Sequence, residues 1–169
     1  MTIIEALKTA IGYEERVRDT YRAALDRIAD PTGQRIFTLM SNEENDHVLY
    51  LQKKLSQLET GEAISSEDLY TSLPESEKIA AAKAALDTSL QDVARESEIA
   101  MLMKARELEQ QTSAFYEQMV AELPLDGQAF FQRFVEVERG HLLLVEAEID
   151  YLQHKGAWLA IDHGELKVL

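Results

Sequence analysis

The chain has 169 residues, 46% of them hydrophobic, with a formal net charge of -14, 7 Gly, 3 Pro and no Cys. That suffices for one compact domain with a continuous core and is poor in the residues that punctuate β proteins, while the lack of Cys excludes disulfides, thiolate-held zinc and iron–sulfur clusters. The acidity disfavours phosphate backbones and anionic lipid; with no long apolar run and no signal-peptide core, a cytoplasmic protein with neither nucleic acid nor membrane as partner is expected.

A first helix is predicted over about 2–29, broken by Asp30-Pro31-Thr32-Gly33, where Asp30 can cap a second helix that has Pro31 at its first position. The second runs to about residue 60 and stops at Gly61. Residues 61–87 are too many for a tight turn and read as a crossover, in which Ser72-Leu73-Pro74-Glu75 is a capping box for a short extra helix. Thr88-Ser89-Leu90-Gln91 offers a second box for a third long helix that ends near Leu123-Pro124. Asp126 then caps a fourth, which runs to about Lys155-Gly156. Two hairpins joined by one long link (about 61–88) give an all-α, antiparallel four-helix bundle of ferritin-like connectivity over 1–156. The tail, 157–169, is not helical. Its Ala157, Trp158, Leu159, Ala160 and Ile161 are too apolar for water and are expected to dock on the bundle or on a neighbouring subunit, which favours a homo-oligomer, a dimer first.

Polar residues interrupt the apolar stripes near mid-helix. The first helix reads Ile4, Leu7, Ile11, Glu14, Arg18, Tyr21, Leu25, Ile28; the second Phe37, Met40, Glu44, His47, Leu51, Leu55, Leu58. The third reads Leu102, Ala105, Glu109, Thr112, Tyr116, Leu123, and the fourth Phe131, Phe134, Glu138, His141, Val145, Ile149, Leu152. All follow the 3–4 spacing of a buried helix face. The pattern is also repeated: Glu14 to Glu109 and Tyr21 to Tyr116 are offsets of 95, Glu44 to Glu138 and His47 to His141 offsets of 94. A Glu and a His three residues apart lie on one helix face, so each Glu-x-x-His can serve one ion or a pair.

One such pair is weak evidence, because acidic residues are common here. Two in-phase copies, each preceded by a core-facing Glu, are a dinuclear metal site, since four buried carboxylates without counter-charge would cost several kcal/mol each. Two divalent cations among four carboxylates and two neutral imidazoles leave no net charge, and oxygen and nitrogen donors suit iron first, with manganese or zinc compatible. Tyr21 and Tyr116 are candidates to hydrogen-bond carboxylates across the bundle. Arg18 falls at a core phase, and Glu15, Glu43, Asp46 and Asp150 are assigned to the acidic surface.

Glu14 to Tyr21 and Glu109 to Tyr116, together with the two Glu-x-x-His pairs, resemble the diiron domain of rubrerythrins within the ferritin-like superfamily, over roughly residues 1–155. The resemblance implies that Glu14 and Glu109 are outer ligands, that Glu44 and Glu138 bridge the metals, and that His47 and His141 each bind one. Two departures stand out: the Cys-ligated rubredoxin domain of full-length rubrerythrins has no counterpart, and Thr112 stands where they carry an additional Glu. The chemistry implied is reduction of hydrogen peroxide or dioxygen by a diiron oxidoreductase, with a separate electron-donor protein because the chain has no Cys. Iron storage or delivery, and a structural metal site without turnover, are the alternatives.

Overall fold

The computed structural model describes residues 1–87 and 95–167. In chain order the elements are α1 (Ile3–Ala24), a 3-10 turn (Leu25–Arg27), α2 (Pro31–Glu59), α3 (Ser76–Ala84), α4 (Glu96–Glu122), α5 (Leu125–Lys155), β1 (Ala160–Asp162) and β2 (Glu165–Lys167). The α1–α2 hairpin packs on the α4–α5 hairpin chiefly through α1 and α4. The ferritin-like four-helix bundle is therefore borne out, with the expected short crossover helix present as α3 and a small hairpin added.

The helix ends have local causes. Thr2 caps α1 in a reciprocal box with Glu5. Asp30 caps α2 by accepting from the Thr32 and Gly33 amides, with Pro31 at the first helical position, and Gly156 ends α5 in the left-handed conformation, φ 64°. Two expected caps are corrected. Ser72 does not cap α3, which starts at Ser76 without a side-chain cap, because the Ser72 hydroxyl is bonded elsewhere. Asp126 lies inside the first turn of α5, after Pro124, and makes no cap bond; there it offers its charge to the positive end of the helix. The Thr88-Ser89-Leu90-Gln91 box lies outside the described residues.

The core consists of two apolar clusters. One holds Val17, Tyr21, Phe37, Met40, Leu102, Ala105, Leu144 and Val145; the other holds Leu7, Ala10, Leu51, Tyr116, Met119, Phe130, Phe131 and Phe134. In each long helix the acidic and imidazole positions fall between residues of the first cluster and residues of the second, so the candidate ligands form a polar layer between two apolar ones. The crossover covers the α2–α5 side: Lys54 and Tyr50 of α2 bond Asp68 at 2.9 and 2.6 Å, and Arg133 of α5 donates to the Leu69 carbonyl at 3.3 Å.

The tail docks on its own chain. Trp158 and Leu159 are buried; the indole meets Phe37 edge-on, with centroids 5.9 Å apart, and donates to Glu98 at 3.0 Å. Gly33 makes room for it, since a Cβ there would stand 2.6 Å from the indole ring. Beyond it, β1 and β2 pair antiparallel through a turn in which His163 and Gly164 both have positive φ. With Trp158 and Leu159 buried intramolecularly, the tail no longer argues for a second subunit. Among the described residues no helix is long and apolar enough to cross a membrane.

Candidate metal centre

Glu14, Glu44, Glu109, Glu138, His47 and His141 are all at most 1% exposed. Donor atoms of Glu44, His47, Glu138 and His141 lie within 4.8 Å of one another. His47 Nδ1 stands 3.4 Å from Glu44 Oε2, 3.4 Å from Glu138 Oε1 and 3.2 Å from Glu14 Oε2. His141 Nδ1 stands 2.7 Å from Glu44 Oε1 and 3.9 Å from Glu138 Oε1. The two imidazoles are parallel, with centroids 5.1 Å apart, so both Nδ1 atoms face the carboxylates.

Glu14 and Glu109 are each held from across the bundle. Tyr21 of α1 donates to Glu109 of α4 at 2.6 Å, and Tyr116 of α4 donates to Glu14 of α1. Burial, and then the neighbouring carboxylates, push both phenols well above their ordinary range, which keeps them protonated as donors.

Without metal, protons balance the charge. Burial alone would lower both imidazoles, but Glu14 beside His47 and Glu44 beside His141 override it and raise both well above the usual histidine range. Burial and the neighbouring acids Glu138 and Glu14 push Glu44 up to about 7 despite His141, and burial and Glu44 push Glu109 well up. Glu14, next to His47, is held down at about 2 against its burial. Two imidazolium ions thus stand in for cations, and incompletely. Among the described residues, Glu44 Oε2, Glu109 Oε2 and both oxygens of Glu138 are buried with no hydrogen-bond partner, which is costly for buried polar atoms. Divalent cations would satisfy these oxygens and release the protons. The cluster therefore fits a pair of metal ions.

Other assignments change. Glu43, placed on the acidic surface from the sequence, is buried; it accepts from Thr71 Oγ1 at 2.6 Å and from the Ser72 amide at 2.9 Å, and also from the Ser72 hydroxyl. Its Oε2 stands 3.5 Å from His141 Nε2. Burial alone would raise Glu43, but His141, Ser72 and Thr71 draw it down to about 2. A signal was present: Ile36, Met40, Glu43 and His47 keep 3–4 spacing. Glu148, also buried, bonds the Leu159 amide of the tail and takes no part in the cluster. Arg18 pairs with Asp19 at 2.8 Å, and it is Val17 that faces the core. Gly140 of α5 faces α3, where a Cβ would meet Ser76 Oγ at 3.6 Å.

Thr112 is buried and donates to the Leu108 carbonyl at 2.9 Å, so its hydroxyl is engaged by its own helix. On the α5 side a cleft of about 370 Å³, lined by Thr71, Ser76, Arg133, Val137 and Gly140 among others, reaches Thr71, one of the residues that hold Glu43.

A family model described as Rubrerythrin matches residues 5–149, and the chain belongs to the rubrerythrin family. No curated protein and no solved structure matches it.

Proposed function

We propose that this member of the rubrerythrin family is a diiron protein that reduces hydrogen peroxide, or dioxygen, with electrons from a separate donor protein. The observation that carries the reading is the set of buried carboxylate oxygens that make no hydrogen bond among the described residues, gathered around Glu44, His47, Glu138 and His141. Glu44 and Glu138 would bridge, Glu14 and Glu109 would bind from the outer sides, and His47 and His141 would each bind one ion through Nδ1. When bound, an iron pair supplies two electrons to the oxidant.

The chain's own residues do the rest. Tyr21 and Tyr116 orient the outer carboxylates and hold their protons close to the cluster. The apolar clusters on either side exclude bulk water, which strengthens charge interactions inside the layer. The cleft over Thr71 and Gly140 is the proposed approach for a small oxidant, and Thr112 is the position where rubrerythrins carry an additional Glu. Sustained turnover draws on the donor protein, because a chain without Cys holds no thiolate-bound electron-transfer centre.

Stopped-flow mixing of the Fe(II)-loaded protein with hydrogen peroxide tests the proposal. The expected result is rapid single-turnover oxidation, with negligible catalysis until a reductant is added. Faster reaction with dioxygen, followed by deposition of iron beyond the initial pair, would replace this reading with storage. No reaction with either oxidant, together with zinc that cannot be displaced, would make the site structural. Sedimentation at micromolar concentration decides between the proposed homodimer and a monomer of 19.1 kDa.

A further inference from the structure

Glu43 is the buried acid on α2 that the ligand pattern leaves out. The crossover holds both its oxygens, through Thr71 on Oε2 and through the Ser72 amide and hydroxyl on Oε1. The same Oε2 stands 3.5 Å from His141 Nε2, the ring nitrogen on the side away from the cluster, which makes no hydrogen bond among the described residues. His47 is built differently. Its Nε2 is also without a partner, and its ring lies edge-on to Phe134, with centroids 5.7 Å apart. In the second copy of the motif the position before the Glu, which is Glu43 in the first, is the buried Val137. The two halves of the site therefore differ by one fixed carboxylate outside one imidazole.

We propose that Glu43 is a positioning residue for His141: it accepts the Nε2–H, fixes the tautomer that turns the Nδ1 lone pair toward the metal, and ties that half of the centre to the crossover. The inference rests on the ligand reading above. A carboxylate on the outer N–H of a ligating imidazole fixes ring orientation and raises its basicity, so the two metal positions are inequivalent, and the one served by His141 is the tighter. Thr71 and Ser72 in turn fix Glu43, which gives the crossover a role in metal retention that its distance along the chain from every ligand conceals.

Cobalt(II) titration of the metal-free full chain, followed by visible absorption and proton NMR, tests this. The wild type should take up two ions and show two exchangeable, paramagnetically shifted imidazole N–H signals. In Glu43→Ala one ion should bind about 10–100-fold more weakly, with one N–H signal lost to fast exchange and the other unmoved. Glu43→Gln, whose amide oxygen still accepts, should retain that signal with a smaller loss of affinity. Unchanged affinities and both signals in Glu43→Ala would overturn the proposal and leave the ligand set standing. Equal weakening of both ions would also overturn it, since Glu43 would then be a general support of the fold. A wild type that fails to bind two ions would instead defeat the ligand reading itself.

Discussion

The Tyr21 hydroxyl crosses from α1 to α4 to donate to Glu109 Oε1 at 2.6 Å, and Tyr116 returns the bond from α4 to Glu14 of α1. Each outer carboxylate is thus oriented by the helix that carries the other. Glu109 Oε2 has no hydrogen bond, so Tyr21→Phe would leave the whole carboxyl group without one. We expect a loss of about 1–3 kcal/mol in the metal-free protein and metal affinity about 10-fold lower, read by chemical denaturation and metal titration. A variant equal to the wild type in both measurements would reduce Tyr21 to a packing residue.

Glu138 carries a less intuitive prediction. Both its oxygens are buried without a hydrogen bond among the described residues, and Oε1 stands 3.4 and 3.9 Å from the Nδ1 atoms of His47 and His141. With no metal present, its attraction to the two imidazolium ions and its repulsion by Glu44 and Glu109 oppose each other, so removing its charge should change the fold little. Metal-free Glu138→Gln should therefore melt close to the metal-free wild type. With saturating metal the variant should melt well below the wild type, because it loses a bridging ligand and at least one ion while its helical circular dichroism persists. An equal difference with and without metal would contradict the assigned role.

Metal binding should be strongly pH-dependent. Glu44, pushed up to about 7, and the two raised imidazoles hold protons in the metal-free site near neutrality. A cation must displace them, so apparent affinity rises with pH through about 7 and calorimetry should detect proton release on binding. For the metal-free fold the signs follow from linkage. The histidine contribution is fully present below the unfolded value of 6.5 and is lost as pH rises through the raised folded pKa. The Glu14 contribution is present above the unfolded 4.5 and is lost as pH falls through about 2. Affinity independent of pH between 6 and 8 would mean that the buried groups carry no exchangeable protons there.

The bundle was legible because apolar spacing agrees with the punctuation at Asp30-Pro31, Gly61, Pro124 and Gly156. The cluster was legible because Glu14, Glu44, Glu109 and Glu138 interrupt those stripes in phase, twice. The positions that spacing does not reveal share a cause: a 3–4 stripe marks one buried face of a helix. Crossover and tail cover further faces, so Glu43 on α2 and Glu148 on α5 are buried by segments with no periodicity of their own. Ser72 has the spacing of a capping box, yet a buried carboxylate competes for its hydroxyl and takes it. Strands of three residues, Ala160–Asp162 and Glu165–Lys167, are too short to display alternation.

Glu148 offers a test of how the tail is held. It is fully buried, its Oε2 accepts from the Leu159 amide at 2.9 Å and its Oε1 has no partner. Burial pushes its carboxyl well above the ordinary 4.5, only partly opposed by that amide. A carboxyl raised on folding is neutral in the native chain and ionised in the unfolded one, so the unfolded state binds fewer protons and stability falls as pH rises from about 4.5 toward the folded pKa. Glu148→Gln keeps the shape and an oxygen for Leu159 and has no proton to lose. It should flatten this part of the pH–stability curve and melt higher than the wild type at pH 8, with each kcal/mol appearing as about 2–4 °C. Trp158, which packs on Phe37 in the same docked tail, reports the local event, and its fluorescence should stay blue-shifted to higher pH in the variant. A variant less stable than the wild type at pH 8, with an unaltered slope, would show that Glu148 is ionised in the fold and that its charge helps to hold the tail.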